Sequence, residues 1–144
     1  MSNPDLYTYV DIKPANSIAA LEVQYRLWSA RRSPDGTQRW LNWAARLRDE
    51  EIYVGWFQST VFMDRTADIA YMVFAGHQRR GYAREASDAV VDYLVASLDV
   101  ENVGVSIDPR NEASIRLAQA MGFVTAAGDP SEVRMLLDVG RRRL

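Results

Sequence analysis

The hydrophobic pattern of this chain changes its period at Gly81. Before that residue, three runs have the length and composition of β-strands, at about 39–47, 52–62 and 67–74. After it, as far as about residue 97, apolar residues recur at helical spacing: Ala86, Ala89, Val90, Tyr93 and Leu94. A meander of strands that leads into an amphipathic helix predicts a sheet with helices packed against it.

The N-terminal part predicts a helix and a turn before the first strand. Asn16 or Ser17 is placed to cap a helix with an apolar stripe at helical spacing: Ile18, Leu21, Tyr25 and Trp28. Residues 33–36, Ser-Pro-Asp-Gly, have the chemistry of a turn. Trp40 and Trp43 lie three residues apart, so on an extended strand they face opposite sides of the sheet.

The C-terminal half predicts a strand, a helix and two more strands. The strand spans about residues 103–107, and the helix runs from about residue 111 to a glycine cap at Gly122. The last strands are predicted at 123–125 and 132–139. This order predicts a single domain over residues 1–144, an α/β fold of the α+β type. Its central sheet is expected to be mixed, mostly antiparallel and flanked by helices.

Composition narrows the chemistry available to this domain. The 144 residues include 17 basic and 19 acidic side chains, a formal net charge of −2, which disfavours a nucleic-acid or anionic-membrane binder. With no cysteine and one histidine, His77, thiolate and two-histidine metal sites are excluded, and we expect no metal. The N-terminus lacks the regions of a signal peptide and no apolar run is long enough to span a membrane, so we expect a cytoplasmic location.

The segment most informative about function spans residues 73–84, Val-Phe-Ala-Gly-His-Gln-Arg-Arg-Gly-Tyr-Ala-Arg. Glycine at a helix start lets backbone N–H groups approach a ligand, and the first-turn amides and the helix dipole favour an anion such as pyrophosphate. Arg79, Arg80 and Arg84 add positive charge. Neither a Walker A loop nor a dinucleotide G-x-G-x-x-G motif is present. The segment predicts either an anion site or a plain helix start beside an arginine-rich turn.

Three blocks of the sequence resemble the GNAT N-acetyltransferase superfamily. Residues 78–83, Gln-Arg-Arg-Gly-Tyr-Ala, match its acetyl-CoA signature Q/R-x-x-G-x-G/A. Residues 111–115, Asn-Glu-Ala-Ser-Ile, followed by Met-Gly-Phe at 121–123, resemble its second conserved block. Residues 67–71, Ala-Asp-Ile-Ala-Tyr, resemble a strand start in the branch that includes ribosomal-protein N-terminal acetyltransferases. The match covers about residues 52–124, with three motifs in the family's order and spacing.

The resemblance implies a GNAT-like acyl-CoA N-acyltransferase fold that binds acetyl-CoA. In this family the strand before the signature splays from its neighbour, which would offer the pantetheine arm the backbone groups of Tyr71, Met72 and Val73. The pyrophosphate would lie on the backbone N–H groups of Arg79, Arg80, Gly81, Tyr82, Ala83 and Arg84. Asn111 would hydrogen-bond the pantetheine or thioester end, although its place at a helix start is explained equally well by an N-cap.

The mechanism implied by the resemblance is direct attack of an amine on the thioester. Many family members protonate the departing thiolate with a tyrosine late in the second of the two motif-bearing helices, and the matching position here is Ala118. Asp68 is the first candidate for the general base, and Ser106 for orienting a water molecule. Their alternatives are an exposed strand-end carboxylate and a buried, satisfied serine. We expect His77 to be a surface loop residue.

The partners implied are acetyl-CoA and a primary amine, either a protein or peptide N-terminus or a small molecule. Members of the branch usually open with a strand and a helix before a segment similar to residues 6–9. Either this chain is a shortened member, or those elements are supplied otherwise, for example by a second subunit. Apolar surface left exposed would favour a homodimer. Two alternatives stay open: a catalytically silent acyl-CoA-binding or interaction module, and nucleic-acid binding through the three arginines, which the acidic total disfavours.

Overall fold

The computed structural model describes residues 17–126 and 128–140. Within these ranges, helices and strands follow one another in the predicted order. The helices are α1 (Ile18–Ser29), α2 (Tyr82–Leu98) and α3 (Glu112–Met121). The strands are β1 (Arg39–Arg46), β2 (Tyr53–Val61), β3 (Thr66–Val73), β4 (Asn102–Ile107), β5 (Val124–Thr125) and β6 (Val133–Asp138). The predicted bounds of α2, α3 and the strands differ from these by at most one residue, because local periodicity and turn chemistry set them.

Within the described part of the chain, the strands form one six-stranded sheet in the order β1-β2-β3-β4-β6-β5. The pair β3–β4 is parallel, and the four other pairs are antiparallel. Helix α2 makes the crossover between the two parallel strands, as such a connection requires. The prediction of a mixed, mostly antiparallel sheet flanked by helices is confirmed.

One face of the sheet, here called the helix face, forms the core with α2 and α3. Alternate strand residues such as Phe57, Ile69 and Met135 are buried on it, together with Leu94 of α2 and Met121 of α3. Burial of each such side chain contributes about 1.5–3 kcal/mol. The opposite face, here called the far face, carries the residues between them, which are mostly polar or small. The two faces therefore differ in character: the charged side chains of the strands lie on the far face and at strand ends, whereas the helix face buries a few hydroxyl groups, such as those of Ser59 and Tyr71.

Helix α1 forms where it was predicted but does not pack into the core. Ser17 is its N-cap and accepts a hydrogen bond from the Ala20 N–H at 3.1 Å, while the other candidate, Asn16, lies outside the described residues. No residue of α1 is buried, and Ile18 is 79% exposed. The apolar stripe of this helix therefore does not enter the core formed by the helix face.

The two tryptophans of β1 face opposite sides of the sheet, as predicted. Trp43 lies opposite Phe57 on the helix face and packs edge-on against Tyr93 of α2, with ring centroids 5.8 Å apart. The indole N–H of Trp40 donates to the side chain of Gln38 at 3.0 Å. Along the described ranges, no helix is both long and apolar enough to cross a bilayer.

We expect acid to destabilise the turn that precedes β1. The Asp35 carboxylate accepts hydrogen bonds from the Ser33 hydroxyl at 2.5 Å and from the Thr37 N–H and hydroxyl at 3.0 and 2.8 Å. These bonds lower the pKa of Asp35 from 3.8 to about 2. As the pH falls, Asp35 therefore becomes protonated in the unfolded chain before it does in the folded chain. The stabilisation from these hydrogen bonds is complete above the unfolded pKa of 3.8, and it is lost as the pH falls towards the folded pKa of about 2.

The measurement is thermal unfolding of the wild type and of Asp35→Asn across that pH window. The variant should be less stable at neutral pH and should show a flatter pH dependence below pH 3.8. Equal pH dependence in the two proteins would contradict the assignment.

Candidate active site

Strands β3 and β4 run side by side for a short distance and then part. Their pairing covers Thr66, Ala67 and Asp68 opposite Asn102, Val103 and Gly104. Beyond this point β3 continues to Val73 and β4 to Ile107 without further pairing between them. The unpaired stretches enclose a wedge-shaped opening, here called the gap, at the C-terminal ends of the two strands. Opening of the sheet at this place is what the resemblance implies.

The backbone of β3 presents alternate residues to the gap. The Phe62 N–H donates to the Thr66 carbonyl at 2.9 Å, and the Phe74 N–H donates to the Val54 carbonyl at 2.8 Å. Since hydrogen-bonded pairs alternate along antiparallel strands, the even-numbered residues of β3 bond to β2. The peptide groups of Tyr71 and Val73 therefore face the gap.

This alternation narrows the predicted set of pantetheine-binding residues. The peptide groups of Met72 face β2, because Met72 lies opposite Trp56 in the bonded register. The Val73 carbonyl already accepts a hydrogen bond from the side chain of Gln78, the first residue of the signature, at 3.0 Å. The Tyr71 peptide groups and the Val73 N–H are the ones turned towards a ligand in the gap.

Helix α2 starts beside the wide end of the gap with its first amides unpaired. Its N-cap is Gly81, which has φ = 83° and provides no side-chain cap. The helix ladder begins with the Glu85 N–H donating to the Gly81 carbonyl at 3.0 Å. Within the described residues, the preceding amides of Tyr82, Ala83 and Arg84 have no helical partner, as at any helix start. The positive end of the helix dipole lies here too, so this end of α2 is suited to an anion.

The arginines of the signature differ in what they contact. Arg79 and Arg80 are exposed in the turn before α2, and Arg79 adopts a left-handed backbone conformation with φ = 61°. Arg84 forms an ion pair with Asp88 one turn along the helix, at 2.6 Å. The Arg84 side chain is thus directed along the helix surface, and its backbone amide is the part that faces the N-terminal opening.

A polar cluster lies on the far face at the point where β3 and β4 part. Arg134 of β6 donates to the Asp68 carboxylate at 2.5 Å and to the Ser106 hydroxyl at 3.2 Å. The pair is half-buried, with the side chains of Arg134 and Asp68 29% and 40% exposed. Both candidates for catalysis, Asp68 and Ser106, are therefore brought together, and Arg134 links them.

Arg134 is a residue that sequence reasoning missed. Alternation along β6 places it on the far face, but its proximity to Asp68 depends on the order of β3, β4 and β6 in the sheet. The one local signal was Gly104, a glycine in the interior of a strand. A Cβ atom at Gly104 would overlap the Arg134 guanidinium and come within 2.6 Å of the Asp68 Oδ1 atom. Because Gly104 has no side chain, the Arg134 side chain can cross over β4 and reach Asp68 on β3.

The start of α3 borders the gap from the β4 side. Asn111 is its N-cap, with the Asn111 Oδ1 atom accepting from the Ser114 N–H at 3.2 Å. Ala118 is buried, at 2% exposed, and Gly122 ends the helix with φ = 98° as predicted. The N-cap role of Asn111 leaves its amide N–H₂ group as the part that can donate to a ligand.

His77 differs slightly from the expectation of a surface loop residue. It lies in the loop after β3, where its N–H donates to the Phe74 carbonyl at 3.0 Å, but its side chain is partly buried. Within the described residues, its Nδ1 atom is buried without a hydrogen-bond partner. Across residues 17–126 and 128–140, no three acidic or histidine side chains are grouped so that they could hold a metal ion.

Comparison with known proteins identifies the family. The sequence-family model described as the acetyltransferase (GNAT) domain matches residues 1–124 of this chain. The chain belongs to the GNAT acetyltransferase family. The gap and the open end of α2 lie at the strand and the signature motif for which the resemblance predicts binding of the acetyl donor, and this assignment of the site stays a prediction.

Two curated relatives of the chain are named as N-acetyltransferases. The N-acetyltransferase YoaA of Bacillus subtilis, itself uncharacterised, is 33% identical over 88 residues, which are 60% of this chain and 50% of that protein. The uncharacterised N-acetyltransferase p20 of Bacillus licheniformis is 24% identical over 122 residues, 85% of this chain and 68% of that protein. The chain thus spans about half the length of the first of these relatives.

Solved structures share the fold at low sequence identity. A spermidine N-acetyltransferase from Vibrio cholerae, in complex with CoA and spermine, has a TM-score of 0.81 at 18% identity. The matched region covers 99% of this chain and 88% of the chain of that structure. A GNAT-family acetyltransferase from Bacillus anthracis has a TM-score of 0.71 at 18% identity, and the matched region covers 95% of this chain and 83% of the chain of that structure. These likenesses confirm the predicted fold. The ribosomal-protein branch, the acceptor and the homodimer stay predictions.

Proposed function

We propose that this chain transfers the acetyl group of acetyl-CoA to a primary amine. The observation that carries the proposal is the parting of β3 and β4 directly beside the uncapped start of α2. An extended arm can hydrogen-bond the β3 peptide groups in the gap while its diphosphate meets the amides of the helix start. Gly81 fits this arrangement, because a Cβ at that position would meet no atom within 4 Å, which shows open space above the amides.

The peptide N–H groups of β3 supply the electrostatic part of the chemistry. As an amine attacks the thioester carbonyl, negative charge develops on the carbonyl oxygen, and a fixed N–H donor stabilises that charge. The amides of Tyr71 and Val73 are the donors that face the gap. Because the thioester is already activated, most of the acceleration would come from holding donor and acceptor together.

The far face supports the approach of the acceptor. Asp68 stands at the narrow end of the gap, partly exposed, and a carboxylate there attracts a protonated amine. The amine must lose a proton before it attacks, and we assign Asp68 as the group that receives it, with Ser106 orienting an intervening water. Arg134 holds the carboxylate in position from the side of β6. The acceptor class proposed is a cationic primary amine, on a small molecule or at a peptide N-terminus.

The direct test is calorimetric titration with acetyl-CoA, followed by turnover with a panel of amines. The panel contains a polyamine, small monoamines and peptides with free N-termini. Micromolar binding and acetylation of any of these amines would support the proposal. Absence of acetyl-CoA binding by the full chain would overturn it.

A second function is favoured by two observations. Ala118 stands where many family members carry the proton-donating tyrosine, and Asp68 is held in an ion pair. Both fit a catalytically silent module that binds acyl-CoA. Binding of acetyl-CoA without turnover on any member of the amine panel would select this function.

We expect Asp68→Asn to lower kcat/KM for the amine by on the order of 100-fold, the lower end of the range for a general base. The variant keeps an oxygen for Arg134 but removes the charge and the basic site. Steady-state kinetics with the best amine of the panel provide the measurement, and acetyl-CoA affinity should stay unchanged. Asp49→Asn, in the exposed turn before β2, is the matched control. Equal kinetics in Asp68→Asn and wild type would refute the role of Asp68.

A further inference from the structure

Tyr71 occupies the part of β3 that borders the gap. Its side chain lies on the helix face, since its neighbour across the strands is Phe57, and the two rings stack with centroids 6.1 Å apart at an interplanar angle of 23°. The ring is therefore held in place by packing, and its hydroxyl group extends from the sheet towards the helices.

The Tyr71 hydroxyl is buried and lacks a hydrogen-bond partner among the described residues. Burial raises the pKa of Tyr71, and the Ser114 hydroxyl beside it partly offsets this effect without reaching hydrogen-bond geometry. Leaving a buried hydroxyl unsatisfied costs about 1–3 kcal/mol, so this group is available to donate a hydrogen bond to a ligand in the gap.

The location of Ser114 places this hydroxyl with respect to the gap. Tyr71 belongs to β3, and Ser114 belongs to the first turn of α3, the helix that follows β4. A hydroxyl that starts on β3 and reaches the helix after β4 lies on the helix side of the opening between those two strands. The phenol is thus directed at the space that the donor would fill.

Ala118 lies one helical turn beyond Ser114 on the same face of α3. It is buried and carries no proton donor. The phenol that the structure does place beside this face of α3 is that of Tyr71, which comes from the opposite wall of the gap.

We infer that the Tyr71 hydroxyl donates the proton that the departing CoA sulfur needs, an inference that rests on the proposed acetyl transfer. The amine nitrogen bonds to the acetyl carbon, the carbon–sulfur bond breaks, and its electron pair stays on sulfur. The Tyr71 proton passes to that sulfur. The tyrosinate then takes up, through water, the proton that the nitrogen loses as the amide forms, and the proton that Asp68 removed before the attack passes to solvent. A phenol with a raised pKa is fully protonated at neutral pH, as a proton donor must be.

The first experiment measures binding, so that it does not depend on turnover. CoA and desulfo-CoA, in which hydrogen replaces the thiol, are titrated into wild type and Tyr71→Phe at a pH where the thiol is partly ionised. Wild type should prefer CoA by roughly tenfold, the expected effect of a hydrogen bond to a charged group, and Tyr71→Phe should lose this preference. Tyr93→Phe, which alters a tyrosine that packs on Trp43, is the matched control and should keep the preference.

The second experiment separates proton donation from a structural role. Tyr71→Phe retains the ring that stacks on Phe57 and removes an unsatisfied hydroxyl, so its melting temperature should not fall. Its kcat should fall by roughly 10- to 100-fold with little change in KM for acetyl-CoA.

The outcomes of these experiments distinguish the inference from the proposed function. Equal CoA preference and equal kcat in wild type and Tyr71→Phe would overturn the role of Tyr71 and leave the proposed function standing. A lower melting temperature with an unchanged CoA preference would also overturn it. Failure of wild type to bind CoA would overturn both.

Discussion

Gly81→Asp is expected to weaken acetyl-CoA binding by roughly 1,000-fold. The backbone at Gly81 forms the N-cap of α2, and a Cβ atom there would meet open space, so an aspartate fits without a steric clash. Its carboxylate would stand over the unpaired amides and repel the diphosphate. Two unit charges about 4 Å apart near a protein surface repel by about 4 kcal/mol, which corresponds to that loss of affinity. Calorimetric titration of wild type and variant is the measurement.

Two control variants separate charge from backbone strain. Gly81 has φ = 83°, a conformation that disfavours residues with a side chain, and Gly81→Asn imposes the same strain without a charge. We expect Gly81→Asn to lose less than about tenfold in affinity, since asparagine tolerates this conformation. Gly36→Asp introduces a carboxylate at φ = 75° in the turn before β1, also in open space, and should bind as wild type does. Wild-type affinity in Gly81→Asp would refute an anion site at this helix start.

The second large effect concerns the strand that backs the gap. Gly55 of β2 lies opposite Val73, and a Cβ atom there would overlap the Met72 carbonyl oxygen and approach the Val73 Cα atom to 3.1 Å. These atoms belong to the backbone, so relief requires β2 and β3 to move apart. We expect Gly55→Ala to lower the free energy of unfolding by about 3 kcal/mol. Chemical denaturation monitored by circular dichroism would measure the change.

Gly104→Ala provides the matched comparison for Gly55→Ala. The atoms that its Cβ would overlap are at the end of the Arg134 side chain, beside Asp68, and a guanidinium can swing away. Its cost should be at most about 1 kcal/mol, the value of a partly exposed ion pair. Equal destabilisation by the two alanine variants would contradict the distinction between a backbone and a side-chain obstacle.

The position of the candidate site along the chain could be predicted well. The change of period at Gly81 locates both the end of β3 and the start of α2, since strand alternation and helical spacing are local properties. Asn111 and Gly122 likewise mark the ends of α3 through the chemistry of caps. The family signature falls within these local features, so the place of the proposed donor site along the chain follows from the sequence without a structure.

The roles of individual side chains in the site could be predicted less well. Met72 was grouped with Tyr71 and Val73, but which peptide groups face the gap depends on the hydrogen-bond register between β2 and β3. Asp68 was named as a general base or an exposed strand-end carboxylate, and an ion pair with an arginine 66 residues further along the chain was not foreseen. The predicted apolar stripe of α1 does not join the core. Each of these outcomes depends on contacts between distant segments.

By itself, the sequence determined the order and bounds of the helices and strands and the place of the signature at a helix start. Those features follow from residue spacing, glycine conformations and capping chemistry within a few residues. The tertiary structure alone decided where β3 and β4 part, that Arg134 reaches Asp68 across Gly104, and that the Tyr71 hydroxyl lies beside Ser114. The physical reason is that strand neighbours and the register between them bring together residues whose separation in the chain carries no local signal.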